Sequence, residues 1–327
     1  MVGPAGRRDD AFCDVTMRQS VNLVIPDSTL DHQFRENPRV DGRDGAIRFY
    51  AGHPLEAPGG ERIGALCIFD SAPRDFSAEE ERVLGELAAC IEHELSASEE
   101  LERAAAVQRG LLPKQFLSLP GFDVAGGCAA APGIGGDFYD WYPVGEGAAV
   151  TLADVMGKGI GAAIIAATVR AVLRAVSRRG EIAAAVEAAA VILESDLDGA
   201  GTFVTLFHAS LDMHTGVLRY IDAGHGLTLI AGADGSASRL STTSLPLGAD
   251  VEETWREHAV TLAPGDTLIS VSDGVLDLFD GTLASLDEVE AIARSSATSQ
   301  DLVDTLLALA RTSAPDDVTA VVVRRRP

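Results

Sequence analysis

Apolar and polar positions follow two periods along this chain. Between Val21 and Asp70 short apolar runs, VNLVIPDS, AIRFYAGHPL and IGALCIFD, are separated by polar stretches and by a Pro-Gly-Gly turn. That pattern predicts strands, the last two paired as a hairpin. From Ser77 to about Leu112 the period lengthens: Leu84, Leu87, Ile91, Leu95, Ser98, Leu101, Ala105, Gln108 and Leu112 step by threes and fours. Ser77 with Glu80 forms a capping box at the start of this helix, and Pro113 ends it. Such a stripe serves either to pack a helix on its own domain or to pair two copies in a parallel coil, which would make a homodimer.

Beyond Phe116 strands interleave with helical blocks. Residues 160–178 carry Ile160, Ile164, Thr168, Val172 and Val176 on one face and Arg170, Arg174 and Arg178 on another, and residues 181–198 form a second, Ala-rich helix. Strands follow at TFVTLFHASLD, GVLRYIDAGH, LTLIAG, EHAVTL and DTLISVSD, then a helix from about Asp287 to Arg311 and a closing strand VTAVVVRR. Helical blocks inserted in a mostly antiparallel strand order predict an α+β fold, with sheets packed together and helices outside.

Length and charge narrow the picture. At 327 residues the chain predicts two domains and a connector, placed at 1–76, 77–112 and 113–327. Lys plus Arg number 26 against 49 Asp plus Glu, and a net charge of -23 repels both nucleic-acid backbones and anionic lipid, so neither is expected as a partner. Cys13, Cys67, Cys90 and Cys128 show no CxxC spacing, which reads as a reduced, cytoplasmic protein. The most apolar stretches, around 160–176 and 182–193, are interrupted by Arg170, Arg174 and Glu187, so no segment is expected to span a bilayer.

Candidate chemistry gathers in the stretch Gly135 to Ala163, GGDFYDWYPVGEGAAVTLADVMGKGIGAA, where Asp137 and Asp154 stand at the ends of extended apolar segments beside glycine turns. DTLISVSDG ends in Asp273, and Asp316 and Asp317 directly precede the last strand. One aspartate at a strand end is usually a turn former or a cap. Several brought together repel unless a cation lies between them, so the cluster reads as a site for a hard metal, magnesium or manganese. The GKG at 157–159 lacks the spacing of a nucleotide phosphate loop.

Two resemblances add to this reading. The order FC, VIPD, FRENPRV, IRFYAGHPL, GERIGALCIFD and then an acidic helix resembles the C-terminal two-thirds of a GAF domain, a sensing module, and implies an α/β domain with an unidentified small ligand. His53 and Cys67 are its candidate ligand contacts, each more simply read as packing. From about Gln108 to Arg325 the motifs QRGLLP, GGDFYD, ADVMGKGIGAA, TFVTLFHASLD, DAGHGLTLI, LPLGAD, LAPGDTLISVSDGVLDL and DDVTAVVVRR resemble the SpoIIE-like branch of the PPM (protein phosphatase 2C-like) Ser/Thr phosphatases.

That second resemblance implies an αββα sandwich with two Mn2+ or Mg2+ ions at one end of its sheets. Carried over by position, Asp154 would bridge the ions with the Val155 carbonyl joining it, Asp137 would contact metal directly or through water, and Asp273 with Asp316 would complete the set. Asp317 is the alternative to Asp316, because adjacent carboxylates are not separable by sequence. Asp140 reads as a supporting or turn residue, and His225 in DAGH as a structural hydrogen-bonder or a group orienting or protonating the leaving oxygen. Asp222 and Asp277 stand where the family usually has Asn and Glu. The implied activity is metal-dependent hydrolysis of phosphoserine or phosphothreonine on a regulatory protein, often an anti-anti-sigma factor, by a metal-activated water. A non-catalytic scaffold and a small-phosphoester hydrolase are the rival readings.

Overall fold

The computed structural model describes residues 12–43, 45–113, 119–129, 134–177, 181–240, 244–250, 253–313 and 316–327. The chain folds as two compact units, Met1–Glu100 and Leu101–Pro327. Their boundary falls inside one long helix, α2 (Ala78–Leu111).

In the first unit α1 (Phe12–Met17) accompanies a three-stranded antiparallel sheet, β1 (Leu23–Ile25), β2 (Phe49–Glu56) and β3 (Arg62–Asp70), in the order β1-β2-β3. The predicted hairpin is β2–β3. Alternation along β2 divides its side chains between two small cores. Tyr50 joins Phe12, Val15, Ile25, Phe34 and Val40, with the Phe12 and Phe34 rings stacked at 4.2 Å. Phe49 and Ala51 face the other way and pack on Leu84 of α2. The capping box forms as expected: Ser77 N–H donates to the Glu80 carboxylate and Glu80 N–H donates to Ser77 Oγ. The helical stripe divides, because Leu84 is buried while Leu87 and Leu95 are exposed.

The second unit is a four-layer sandwich. One sheet has the order β10-β9-β12-β13-β4, and the other β11-β8-β7-β6-β5, with every pair antiparallel. The first comprises β4 (Phe122–Ala129), β9 (Thr228–Ala231), β10 (Ala237–Leu240), β12 (Thr267–Val271) and β13 (Val318–Arg325). The second comprises β5 (Phe138–Val144), β6 (Gly147–Val155), β7 (Val204–Asp212), β8 (Val217–Ala223) and β11 (His258–Thr261).

Strand periodicity builds three hydrophobic layers. Tyr139, Trp141, Val150, Leu152, Phe207, Leu268, Val321 and Val323 point inward and fill the space between the sheets. Val318, Ala320 and Val322 of the same β13 point outward onto α5 (Ser285–Ser295) and α6 (Ser299–Ser313). Ala153, Val155, Leu206 and Ile221 point outward onto α3 (Ile160–Val176) and α4 (Ile182–Ala200). Strands covered on both faces read as continuous apolar runs, which is why VTAVVV and GAAVTLA lack polar alternation.

The predicted helix over 287–311 is two helices. Thr298 and Asp301 exchange side-chain and backbone hydrogen bonds that cap a fresh start, and Ser299 N–H and Oγ bind Asp123 at the head of β4. Among the described residues no helix is long and apolar enough to cross a membrane.

Candidate active site

Side-chain parity carries the carboxylates to one end of the sandwich. Along β5 the inward positions Trp141 and Tyr139 are followed, one step beyond the strand, by Asp137; along β6 Val150 and Leu152 are followed by Asp154. Along β13 Val323 and Val321 lead back through Thr319 to Asp317. Each aspartate therefore continues an inward row just past the last apolar layer. Asp273 opens a 3-10 helix, Asp273–Leu278, directly after β12.

These carboxylates line one cavity of about 310 Å³ together with Gly136, Val155, Met156, Gly157, Lys158, Phe203, Thr205 and Asp316. All six positions expected from the sequence, Asp137, Asp154, Val155, Asp273, Asp316 and Asp317, are thus brought together. Asp140, His225, Asp222 and Asp277 are not among the lining residues.

Glycines make the convergence sterically possible. A Cβ on Gly135 would sit 1.8 Å from Asp317 Oδ2, one on Gly136 2.6 Å from the Val155 carbonyl oxygen, and one on Gly274 2.1 Å from the Asp317 carbonyl oxygen. Hydrogen bonds then fix the loops. Ser272 Oγ donates to the Asp317 carbonyl (3.1 Å) and accepts from Thr319 N–H (2.9 Å), tying the end of β12 to the start of β13. Gln108 of α2 grips Gly135 at both backbone groups: its Nε2 donates to the carbonyl (2.6 Å) and its Oε1 accepts the N–H (3.3 Å). Gln108 and Ser272 are positioning residues that motif reading passed over; their presence in QRGLLP and SVSDG was the available signal.

The electrostatics are those of crowded anions. Complete burial, then the charge of Asp154, pushes the Asp137 carboxyl well above the usual carboxylate range. Burial and Asp273 raise Asp154 to about 6, and burial and Asp316 raise Asp273. Asp137 Oδ2 is buried with no hydrogen-bond partner. A buried, unpaired carboxylate oxygen among like charges is the chemistry of a cation ligand. Among the described residues no three carboxylate, histidine or cysteine side chains already close on a single point, so the donors surround a cavity. Lys158 stands at its exposed rim, 2.8 Å from Asp316.

The neighbouring polar residues have structural work. Asp140, one step out of register with Asp137, turns to α3 and pairs with Arg170 (3.2 Å) and Arg174 (2.9 Å). His225 is buried, its backbone N–H donating to Asp222 and its Nε2 contacting Ser270 Oγ at 3.1 Å. Asp222 also accepts from Gly226 N–H (2.8 Å) on its other oxygen, so both carboxylate oxygens hold backbone amides of this loop.

The family model described as stage II sporulation protein E (SpoIIE) matches residues 145–326. The chain belongs to the SpoIIE family. Phosphoserine phosphatase RsbU of Bacillus subtilis is 26% identical over 236 residues, covering 69% of this chain and 70% of RsbU. Protein IcfG of Synechocystis is 27% identical over 206 residues, of which this chain spans 32% of the relative's length. Among solved structures, the RsbU and RsbW domains of Rv1364c from Mycobacterium tuberculosis superpose with a TM-score of 0.55 at 30% identity, over 64% of this chain and 62% of that one. The SiaA-PP2C domain of Pseudomonas aeruginosa superposes at 0.62, over 71% of this chain and 98% of that domain, and at 20% identity attests the fold. The second unit accordingly has the fold of the PP2C domain it superposes on, and the chain is a phosphatase of the SpoIIE family.

Proposed function

We propose that the chain hydrolyses phosphoserine or phosphothreonine on a regulatory protein and that Asp137, Asp154, Asp273 and Asp316, with the Val155 carbonyl, hold two divalent cations, Mn2+ or Mg2+. Asp317 is the alternative or additional ligand beside Asp316. The observation that carries this reading is the convergence of five carboxylates on one cavity with a buried, unpartnered oxygen on Asp137. Hard oxygen donors in excess negative charge fit these ions. Such ions, when bound, supply charge neutralisation for a phosphoryl group and a water acidic enough to attack phosphorus near neutral pH.

The chain's own residues do the rest. Asp137 and Asp154, raised by burial and by their neighbours, release protons as a cation is taken up, so affinity rises with pH. Gly135, Gly136 and Gly274 keep the ligand-bearing backbone at the spacing the cavity requires. Lys158 at the exposed rim places an ammonium where a phosphate dianion enters. Among the described residues that line the cavity none is Ser or Cys, which accords with direct attack by water.

An anti-anti-sigma factor is the substrate the family reading favours, with the second unit acting in the cytoplasm under a GAF-like first unit that takes an unidentified small ligand. The domain limits expected from sequence, 1–76, 77–112 and 113–327, stand as part of this proposal, as does a homodimer paired through α2. A phosphatase assay with Mn2+ tests the core of it, comparing a seryl-phosphorylated regulatory protein with a small phosphoester. Metal-dependent turnover that favours the phosphoprotein is expected; no turnover with either substrate would leave a scaffold, and preference for the small ester would leave a small-phosphoester hydrolase.

A further inference from the structure

The first unit holds a pair of thiols that phosphate hydrolysis does not use. Cys13 lies on α1 and Cys67 on β3, 54 positions apart in sequence, with their sulfurs 3.7 Å apart. Both elements are anchored. Phe12, next to Cys13, stacks on Phe34 and tilts against Tyr50, and Thr16 Oγ1 shares a 2.8 Å hydrogen bond with the Tyr50 hydroxyl. Cys67 stands opposite Gly52 in the β2–β3 ladder, where the missing side chain leaves room for Tyr50 and Thr16: a Cβ there would lie 2.5 Å from the Tyr50 hydroxyl and 2.7 Å from Thr16 Oγ1. The two sulfurs are thus held in contact, 3.7 Å apart, between two anchored elements.

Access and chemistry differ between the two. Cys13 is exposed and Cys67 half-buried, so a small oxidant meets Cys13 first and Cys67 lies behind it. The hydrogen bond from Cys67, helped by the Tyr50 hydroxyl and the charge of Arg39, lowers the Cys13 thiol to about 6 and favours its thiolate. Cys128, in the other unit, is pushed by burial up to about 12 and is a poor nucleophile.

We propose that Cys13 and Cys67 are a redox modification site that hydrogen peroxide converts to a reversible intramolecular disulfide. In the first step the Cys13 thiolate attacks one peroxide oxygen; an S–O bond forms, the O–O bond breaks, and the departing hydroxide takes a proton to become water. In the second, the Cys67 sulfur attacks the sulfenic sulfur of Cys13; the S–S bond forms, the S–O bond breaks, and the Cys67 proton leaves with the hydroxide as a second water. Two thiols lose two electrons and two hydrogens, and one peroxide is reduced to two waters. A dithiol reductant reverses the bond by exchange. The bond would join α1 to β3 across the aromatic core of the first unit and restrict its unfolded chain.

The full-length, reduced protein is treated with one equivalent of hydrogen peroxide, quenched with an alkylating agent and mapped by mass spectrometry. Expected are a fall from four free thiols to two, a Cys13–Cys67 peptide linked within one chain in protein that runs as a single chain on a non-reducing denaturing gel, and full reversal by dithiothreitol. Cys13 should be consumed about tenfold faster than Cys90 or Cys128. In Cys67→Ser the oxidised Cys13 should be captured by dimedone as the sulfenic acid, and in Cys13→Ser the peroxide loss at Cys67 should disappear. Retention of four thiols under peroxide that oxidises a free small thiol, a linkage only between two chains, or faster loss of Cys90 would each overturn the proposal. The wild-type map alone decides it if a serine variant folds poorly.

Discussion

Gly135→Ala tests whether the convergence of carboxylates is what the site depends on. The new Cβ would lie 1.8 Å from Asp317 Oδ2, whereas ordinary contact begins near 3.4 Å, so the Asp317 carboxylate must move by about 1.6 Å. Gln108 holds Gly135 from the far side through both backbone groups, so the loop has little freedom to yield instead. Ligand sets tolerate misplacement of roughly 0.5 Å, a third of that displacement. The expected loss is at least about 10- to 100-fold in divalent-cation affinity, the range seen when groups supporting a ligand are removed. Overpacking costs the fold only on the order of 1–3 kcal/mol, a Tm decrease of roughly 2–10 °C.

Calorimetric titration of Mn2+ into the full chain gives the affinity, thermal unfolding gives the stability, and turnover at saturating Mn2+ separates binding from chemistry. Gly161→Ala is the control: it lies in the first turn of α3, close to the same loop, and its Cβ would meet nothing within 4 Å. That change should leave the titration alone and raise stability by up to ~1 kcal/mol. A Gly135→Ala protein that binds Mn2+ as tightly as wild type would refute the steric reasoning and remove Asp317 from the ligand neighbourhood.

Asp273→Asn should abolish Mn2+-dependent turnover with the circular dichroism spectrum unchanged, since it removes charge without volume; retained activity would displace Asp273 from the site. Asp140→Ala strips a 2%-exposed carboxylate from Arg170 and Arg174 and should cost on the order of 3 kcal/mol in denaturant titration, reduced from a fully buried case because Arg174 is 41% exposed. His208, buried between Thr151 and Ser177, is lowered to about 4 from 6.5 by desolvation. Its unfolded form binds the proton first, so its contribution is constant above pH 6.5 and stability falls toward pH 4 by about 1.4 kcal/mol per unit; the wild-type minus His208→Gln difference should show that slope, and a flat difference would refute it. Leu87→Glu with Leu95→Glu should convert a dimer paired through α2 to monomer in sedimentation equilibrium, the exposed positions being preferable to buried Leu84, where a charge would disrupt the first unit.

Parity made much of this site legible. Strand-end aspartates following apolar runs sort onto inward rows by a period of two, and that arithmetic needs only sequence. The glycine contacts were not legible, because Gly135, Gly136 and Gly274 read as turn formers until the opposing atoms are known. The grip of Gln108 joins residues 27 positions apart, beyond any local pattern. The helix break before Ser299 was readable in TSQD, where Thr298 and Asp301 form a cap, but the apolar stepping on either side hid it. The α2 stripe was visible as a period, yet which of its residues are covered depends on where β2 lies against Leu84.

Charge accounting separates the two kinds of buried aspartate within GGDFYD. Asp137, just before β5, and Asp140 within it lie three residues apart on opposite faces, and both are pushed upward by burial. Asp140 faces Arg170 and Arg174, and those guanidinium groups offset part of the cost of its burial while tying β5 to α3. Asp137 faces four other carboxylates across a cavity whose lining, among the described residues, includes one basic residue, Lys158, at the rim. An arrangement of that kind costs stability unless a cation joins it, whereas the Asp140 triad is complete without one. α3 carries its arginines toward the structural carboxylate and leaves the cavity anionic, so the helix following the Asp154 loop is fixed by charge on one side while the other remains available to a divalent ion.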